Sequence, residues 1–485
     1  MNRLIYIFSL FAVSLMIACT DDFEEINADP NEPTVVPADN LFTQAEFSLS
    51  DLVWGRALNF EFGMLMVQHF AQNEYAEDSR YNQNNSTFST PWARFYSGSA
   101  LDGDNKGPGG IVDLNEARIL TENNANLTDA ERDNRLAQIA ILRVWAIQNM
   151  TDIWGAIPYS QALQPEEFPN PIYDSQEEVY NGIIEELNAA IALIKTGASG
   201  FTDADVIYGG DMAMWGKFAN SLKLRIGMRI SDKAPAKAST LVSEALSNPM
   251  GVISSNAENA NFTFGSDQRL ANPFFVDQIT RDDFVITEIL VEELKDKNDP
   301  RLDYYAKINP AVGEIKGMPY GLTDAKAFAL KQVTSRPADA IRQATAPAKL
   351  LTYAEVEFFK AEAYARNIAS GTPSAAYESA IMAAMKDWGV ESAAIDSYIA
   401  AHPYNNVDDI AYEKWVALYT QGLEAWAESG RMDFDTKFLV KPTAAVTPII
   451  PVRAFYPAIE QEANAGNLAN VGVNDMVTPL WWDVD

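Results

Sequence analysis

One cysteine, two histidines and 36 basic residues against 67 acidic ones are what this 485-residue chain is short of. A single thiol cannot build an internal disulfide framework, a zinc finger or a cysteine-held iron–sulfur cluster. His69 and His402 are far apart and neither has a metal-type partner four residues on, so H-E-x-x-H chemistry is excluded. No G-x-S-x-G elbow, Walker A loop or dinucleotide fingerprint occurs either. The formal charge of −31 repels phosphate backbones and anionic headgroups, which excludes nucleic acid as a partner. Long apolar runs are missing after the first twenty residues, and no Ser/Gly-rich linker divides the chain after residue 40. What is present is a 47% apolar composition with 26 Gly and 24 Pro, that of a globular protein rather than a collagenous or disordered one.

The one apolar run, Leu4 to Ala18, follows Arg3 and has the build of a secretory signal peptide over residues 1–18. As a helix it would cover roughly 22 Å, short of the ~30 Å hydrocarbon core. The lone cysteine closes the stretch Leu15-Met16-Ile17-Ala18-Cys19, which resembles the lipobox of bacterial lipoproteins and implies acylation of Cys19. Several acyl chains at roughly 0.8 kcal/mol per buried methylene anchor a protein stably. Residues 19–36 then read as an acidic tether, with six acids in the twelve residues from Asp21. Acids in that place resemble the signal that sends Bacteroidetes lipoproteins to the outer face of the outer membrane.

Residues 37–485 read as a single helical domain. Thr128 with Glu131, Ser175 with Glu178 and Thr352 with Glu355 have capping-box spacing ahead of apolar runs of helical period. Helices are expected over 129–153, from 176 to Ile194, after Thr352, along Trp415, Leu418, Tyr419, Leu423 and Trp426, and over 41–72, 212–231, 234–247, 284–297, 373–388 and 457–464. Their pairing by short Gly, Asn and Pro punctuation suggests stacked helix hairpins. Trp145, Trp215, Trp388, Trp415 and Trp426 fall on helical stripes and are assigned to the core, as is His69. The stretches 73–110, 249–283 and 298–350 are read as long, aromatic-rich loops, and loops of that length carry function when ordered.

Chemistry is therefore sought in those loops. Sugar rings stack their C–H faces on Trp, Tyr or Phe while Asn, Gln, Asp and Arg meet their hydroxyls. Tyr75, Tyr81, Trp92 and Phe275 are the candidate platform, with Arg80 and Asn82 as polar neighbours. No catalytic residue, metal or cofactor is expected. The segment from Asp102 to Asp113 approaches a calcium loop but places Lys106 at a ligand position, so it is read as a Gly-rich turn. Acid pairs such as Asp282-Asp283 are what a glycosidase would need, but among 67 acids they carry little information.

The chain resembles the SusD/RagB nutrient-binding outer-membrane lipoproteins, in their SusD-like branch. The resemblance rests on D-F-E-E-I-N-A-D-P-N (Asp22 to Asn31), N-S-L-K-L-R-I-G-M-R-I (Asn220 to Ile230), N-D-P-R-L (Asn298 to Leu302), T-Y-A-E-V-E-F-F-K-A-E-A-Y (Thr352 to Tyr364), W-V-A-L-Y-T-Q-G-L-E-A-W (Trp415 to Trp426) and Y-P-A-I-E (Tyr456 to Glu460) with Asn464 and Asn467. It implies an all-α scaffold of tetratricopeptide-like helix pairs under a loop-rich binding face. It also implies a lid for a SusC-like TonB-dependent transporter that captures an oligosaccharide, or in some members a peptide. Where the family has a paired arginine after the last Trp motif, this chain has only Arg431, and a local change in helix termination is expected there. The competing readings are a lipid-anchored glycosidase on a helical toroid and an adhesive surface lipoprotein.

Overall fold

The computed structural model describes residues 36–98 and 109–484, so Cys19, the leader and the tether lie outside the described residues. Ala38–Asp485 forms one compact unit. Its first elements are α1 (Ala38–Val53), a π-helix (Arg56–Gly63), β1 (Phe70–Gln72), α2 (Ser89–Ser97) and α3 (Gly110–Glu122). Then come α4 (Asp129–Trp154), α5 (Gln176–Leu193), α6 (Met212–Arg229) and α7 (Pro235–Ser247). The middle holds β2 (Ala260–Thr263), α8 (Pro273–Thr280), β3 (Phe284–Ile286), α9 (Glu288–Asp296), α10 (Asp324–Leu330) and β4 (Pro347–Leu351). The last long helices are α11 (Tyr353–Ala365), α12 (Pro373–Asp387), α13 (Ser392–Ala401), α14 (Val407–Ala417) and α15 (Gly422–Arg431).

The fold is all-α in character, and the hairpins α4–α5, α6–α7 and α11–α12 pack as pairs, with α1 against α3. Each helix buries one stripe, and a lone hairpin cannot cover both of its stripes, so neighbouring pairs stack. Thr128–Glu131 and Ser175–Glu178 are true capping boxes. Thr352 caps α11 by accepting the Glu355 N–H at 3.3 Å, but Glu355 does not return the bond. Its carboxylate is taken inside by Arg225, whose Nε lies at 2.6 Å.

That ion pair opens a charged network inside the scaffold. Arg229 on α6, fully buried, reaches Asp152 at 3.2 Å, Glu424 at 2.7 Å and also Glu428. Lys414 pairs with Glu428 as well, and Arg431 bridges Glu428 to Glu362. Buried charges survive only when each is matched and hydrogen-bonded. The lone Arg431 sits in the last turn of α15 with both its neighbours satisfied.

Several expected boundaries shift, and the stripe from Trp415 to Trp426 is not one helix but two, α14 and α15, parted at Thr420 (φ 77°). The helix expected over 41–72 stops at Val53, resumes past Gly55 as the π-helix, and ends in β1. At the end of the π-helix two backbones approach closely: Gly63 packs on Gly422 so tightly that a Cβ there would lie 2.4 Å from the Gly422 carbonyl carbon. The helix expected over 284–297 begins as strand β3, because Val285 and Ile286 are β-branched and Thr287 caps α9 by accepting the Leu290 N–H. The three expected loops contain short elements of their own: α2 in the first, β2 and α8 in the second, α10 and β4 in the third. Two antiparallel ribbons fix these loops on the scaffold. β1 pairs with β3 (Phe70↔Ile286, Gln72↔Phe284), and β2 with β4 (Asn261↔Lys349, Phe262↔Ala348).

His69 lies beneath the first ribbon with Nε2 2.9 Å from the Trp415 carbonyl, and burial pushes its pKa down to about 3. Asp113, the last acid of the calcium-like segment, is buried in the first turn of α3, where burial pushes it up to about 6. Residues 99–108 of that segment lie outside the described residues.

Candidate functional site

The β1–β3 ribbon delivers two turns side by side. Beyond β1 the Asn73 N–H donates to Asp283 O at 2.9 Å and its side-chain amide to Asp282 O at 3.1 Å. The chain then turns through Tyr75 in the left-handed region (φ 51°), and the facing turn uses Asp282 in the same region (φ 58°). Left-handed backbone is costly for a bulky residue and persists where the surroundings enforce it. Here it aims the Tyr75 ring outward, 63% exposed, with the Arg281 guanidinium 4.8 Å from its centroid. The loop is bolted to α10 on either side of Tyr75. The Ala76 N–H donates to Asp324 at 2.7 Å, and Lys331 reaches Glu74 at 2.7 Å. Asp324, Phe328 and Lys331 share one helical face. Phe328, 61% exposed, is thus a second ring beside the Tyr75 loop.

Under these rings lies a bed of alternating charges. Arg56, from the π-helix, binds Glu61 at 2.6 Å, Asp283 at 3.1 Å and also Asp277. Arg281 donates to Asp283 at 2.6 Å, and Asp282 is held by Arg336 and Arg342. Burial alone would lower the Arg56 guanidinium pKa, but Glu61, Asp277 and Asp283 outweigh it and raise it. Asp78, at the back of the Tyr75 loop, is pushed up to about 7 by burial and by Glu61, with Gln72 donating to it at 2.9 Å. The acid pair Asp282-Asp283 is therefore consumed in ion pairs, and four arginines neutralise the face of an otherwise acidic protein. Such a face offers rigid, locally neutral contact area and hydrogen-bonding groups, the requirements of a polar, uncharged ligand.

The six expected site residues do not come together. Tyr75 and Asn82 are exposed, and Phe275 on α8 is half-buried beside Phe274, which packs inward on Phe60. Arg80 is partly buried and donates to Ala76 O at 3.3 Å, bracing the loop. Tyr81 and Trp92 correct the platform reading. Tyr81 is fully buried, with Gln68 3.4 Å from its hydroxyl and Tyr320 against its ring. Trp92, 3% exposed, donates to Glu460 at 3.1 Å and packs among Tyr173, Trp154 and Tyr456. Neither ring offers a face to a ligand. Loop position cannot separate a ring that roofs the core from one that leaves it, since both occur in the same composition. Arg281 and Phe328 were missed because nothing local marks them; the ribbon and α10 bring them to Tyr75. Trp388, expected in the core, is half-buried and borders a cleft, while Trp145, Trp215, Trp415 and Trp426 are buried as expected.

The family model described as starch-binding, associating with outer membrane, matches residues 30–457. The chain belongs to the SusD-like family. Solved structures share the fold over almost the whole length. A chitin-binding protein matches with 22% identity and a TM-score of 0.79, covering 92% of this chain and 100% of that one. A chitin-binding SusD homologue from Flavobacterium johnsoniae matches with 23% identity and a TM-score of 0.78, covering 92% and 99%. A SusD homologue from Bacteroides uniformis matches with 25% identity and a TM-score of 0.77, again covering 92% and 99%. No curated protein matches the chain. Among the described residues no helix is long and apolar enough to cross a membrane, and no His/Cys/Asp/Glu group is arranged to hold a metal ion.

Proposed function

We propose that this SusD-like chain is a lipid-anchored binding protein of the outer-membrane surface. It captures a neutral oligosaccharide and delivers it to a SusC-like TonB-dependent transporter, without turning it over. The observation that carries the reading is the Tyr75 ring, held outward by an unfavourable backbone conformation over a bed whose charges are already paired. A ring kept exposed at such a cost suits a stacking contact with an incoming sugar. Phe328, Arg281 and Asn82 supply the second ring and the polar neighbours, and Phe275 extends the face along α8. The chain's acidity disfavours polyanionic glycans at long range. The family's outer-membrane association and the chitin-binding relatives support the same reading. Acylated Cys19 would be the tie to the membrane, and the transporter partner follows from family membership.

The test is affinity electrophoresis of the purified protein against a panel of soluble neutral and acidic polysaccharides, with reducing-end release assayed in the same incubations. Retardation by a neutral polymer without release is expected. Release of reducing ends would overturn the non-enzymatic reading, and absence of retardation by any polymer would favour a peptide cargo. For the anchor, Cys19→Ser is expected to move the protein from the outer-membrane fraction into a soluble one.

A further inference from the structure

At the other end of α8 from Tyr75 lies a cleft of about 200 Å³, roofed by α8 and the 340–347 segment and floored by the β2–β4 ribbon. Two tryptophans line it: Trp54, at the end of α1, and Trp388, at the end of α12. Among the described residues neither indole N–H donates to a protein acceptor, as also for Trp145 and Trp481, and those of Trp54 and Trp388 stay open to solvent and so to a ligand in the cleft. Asn261 also lines the cleft, and its Oδ1 has no donor. Buried polar groups are normally paired, so the unpaired Asn261 Oδ1, facing a space that two accessible indole donors also line, suggests an absent partner. Phe274, Ile341 and Ala346 supply an apolar wall, and the Asn272 amide beside them is already paired, donating to Ala346 O at 2.9 Å. Thr420, a β-branched residue at φ 77°, forms another side. Asn59 of the π-helix clamps that turn, donating to Thr420 O at 3.1 Å and accepting from the Gly422 N–H at 2.8 Å.

Two features narrow the chemistry. The Lys349 ammonium lies 4.7 Å over the Trp388 ring and is paired with Asp387, so no free cation awaits a carboxylate and that ring face is covered. What the cleft offers is a pair of donors, one acceptor and a small apolar wall. An acetamido group is the complement of that set: its carbonyl accepts from an indole N–H, its N–H donates to Asn261 Oδ1, and its methyl rests on Phe274 and Ile341. We infer that this cleft is a subsite for an N-acetylated amino sugar, placed at one end of an oligosaccharide whose continuation runs along α8 toward Tyr75. The inference rests on the glycan-binding reading and gives it a substrate class.

The experiment is isothermal titration of the purified protein with chitotetraose and with cellotetraose, which has the same β-1,4 skeleton with a hydroxyl in place of each acetamido group. Chitotetraose is expected to bind at least about tenfold more tightly, one buried hydrogen bond's worth. Trp388→Phe, which keeps an aromatic ring of smaller area and removes the donor, and Asn261→Ala should each remove about that factor for chitotetraose alone. Saturation-transfer NMR on the unmodified protein gives a readout independent of the variants: the acetyl methyl protons should be the most strongly saturated. Equal affinity for the two sugars, or binding of another polysaccharide but not chitotetraose, overturns the assignment while the glycan reading stands. Failure to bind any saccharide removes both.

Discussion

Tyr75→Gly separates strain from binding. In the left-handed region an L-residue costs roughly 1–2 kcal/mol, while glycine adopts it freely but loses about 0.5–1 kcal/mol more backbone entropy on folding. Removing a ring that is 63% exposed forfeits little burial, and its contact with Arg281 is an exposed cation–π pair of about 0.5–1 kcal/mol. These terms nearly cancel, so stability should change by no more than about 1 kcal/mol. For the unit Ala38–Asp485, at about 2.1 cal/mol/K per residue, the unfolding entropy is roughly 0.9 kcal/mol/K, which makes that about 1 °C in Tm. Ligand binding should instead lose the stacking contact, about 1–1.5 kcal/mol or close to tenfold in Kd. Tyr75→Phe keeps the ring and should stay within about twofold of the parent. Calorimetry supplies Tm and titration with the glycan found by electrophoresis supplies Kd. A fall in Tm of several degrees would make Tyr75 a structural ring. An unchanged Kd would remove it from the binding face, and equal losses for Phe and Gly would assign the contact to the hydroxyl.

Two further predictions concern the scaffold. Glu428→Gln leaves Arg229, Lys414 and Arg431 facing one another with one carboxylate fewer, and breaking such a network costs about 3–5 kcal/mol, hence a Tm lower by about 3–5 °C. Burial alone would raise the Glu428 carboxyl, but Arg431, Lys414 and Arg229 hold it well below the usual range. Its stabilisation is therefore complete above the unfolded value near 4.3 and lost only as pH falls through the lower folded value. The gap between parent and variant should be constant from pH 7 to 5 and close only in stronger acid; a gap that closes near neutrality contradicts the assignment. Gly63→Ala forces a methyl against the Gly422 backbone and should cost about 1–3 kcal/mol, whereas Gly466→Ala meets open space and should melt with the parent. Similar melting of the two would disprove the close π-helix contact.

The scaffold is legible in local sequence signals. Helical period and capping residues place α4, α5, α6, α7 and α12 within a residue or two, because these signals are local and tertiary packing only reinforces them. Three of the motifs that carry the family resemblance turn out to build the interior rather than the binding face. Arg225 and Arg229 lie in one, Glu355 and Glu362 in another, Glu424 in a third, and together they form the buried charge network. Tertiary structure decided the rest. Whether Tyr75 points out while Tyr81, six residues on, points in depends on β1 pairing with a strand more than two hundred residues away. The meeting of Tyr75, Arg281 and Phe328, and of Trp54 with Trp388 and Asn261, draws residues from elements far apart in the chain. A ring's composition and neighbours in sequence are the same in either case; only the packing of those distant elements fixes which face meets water.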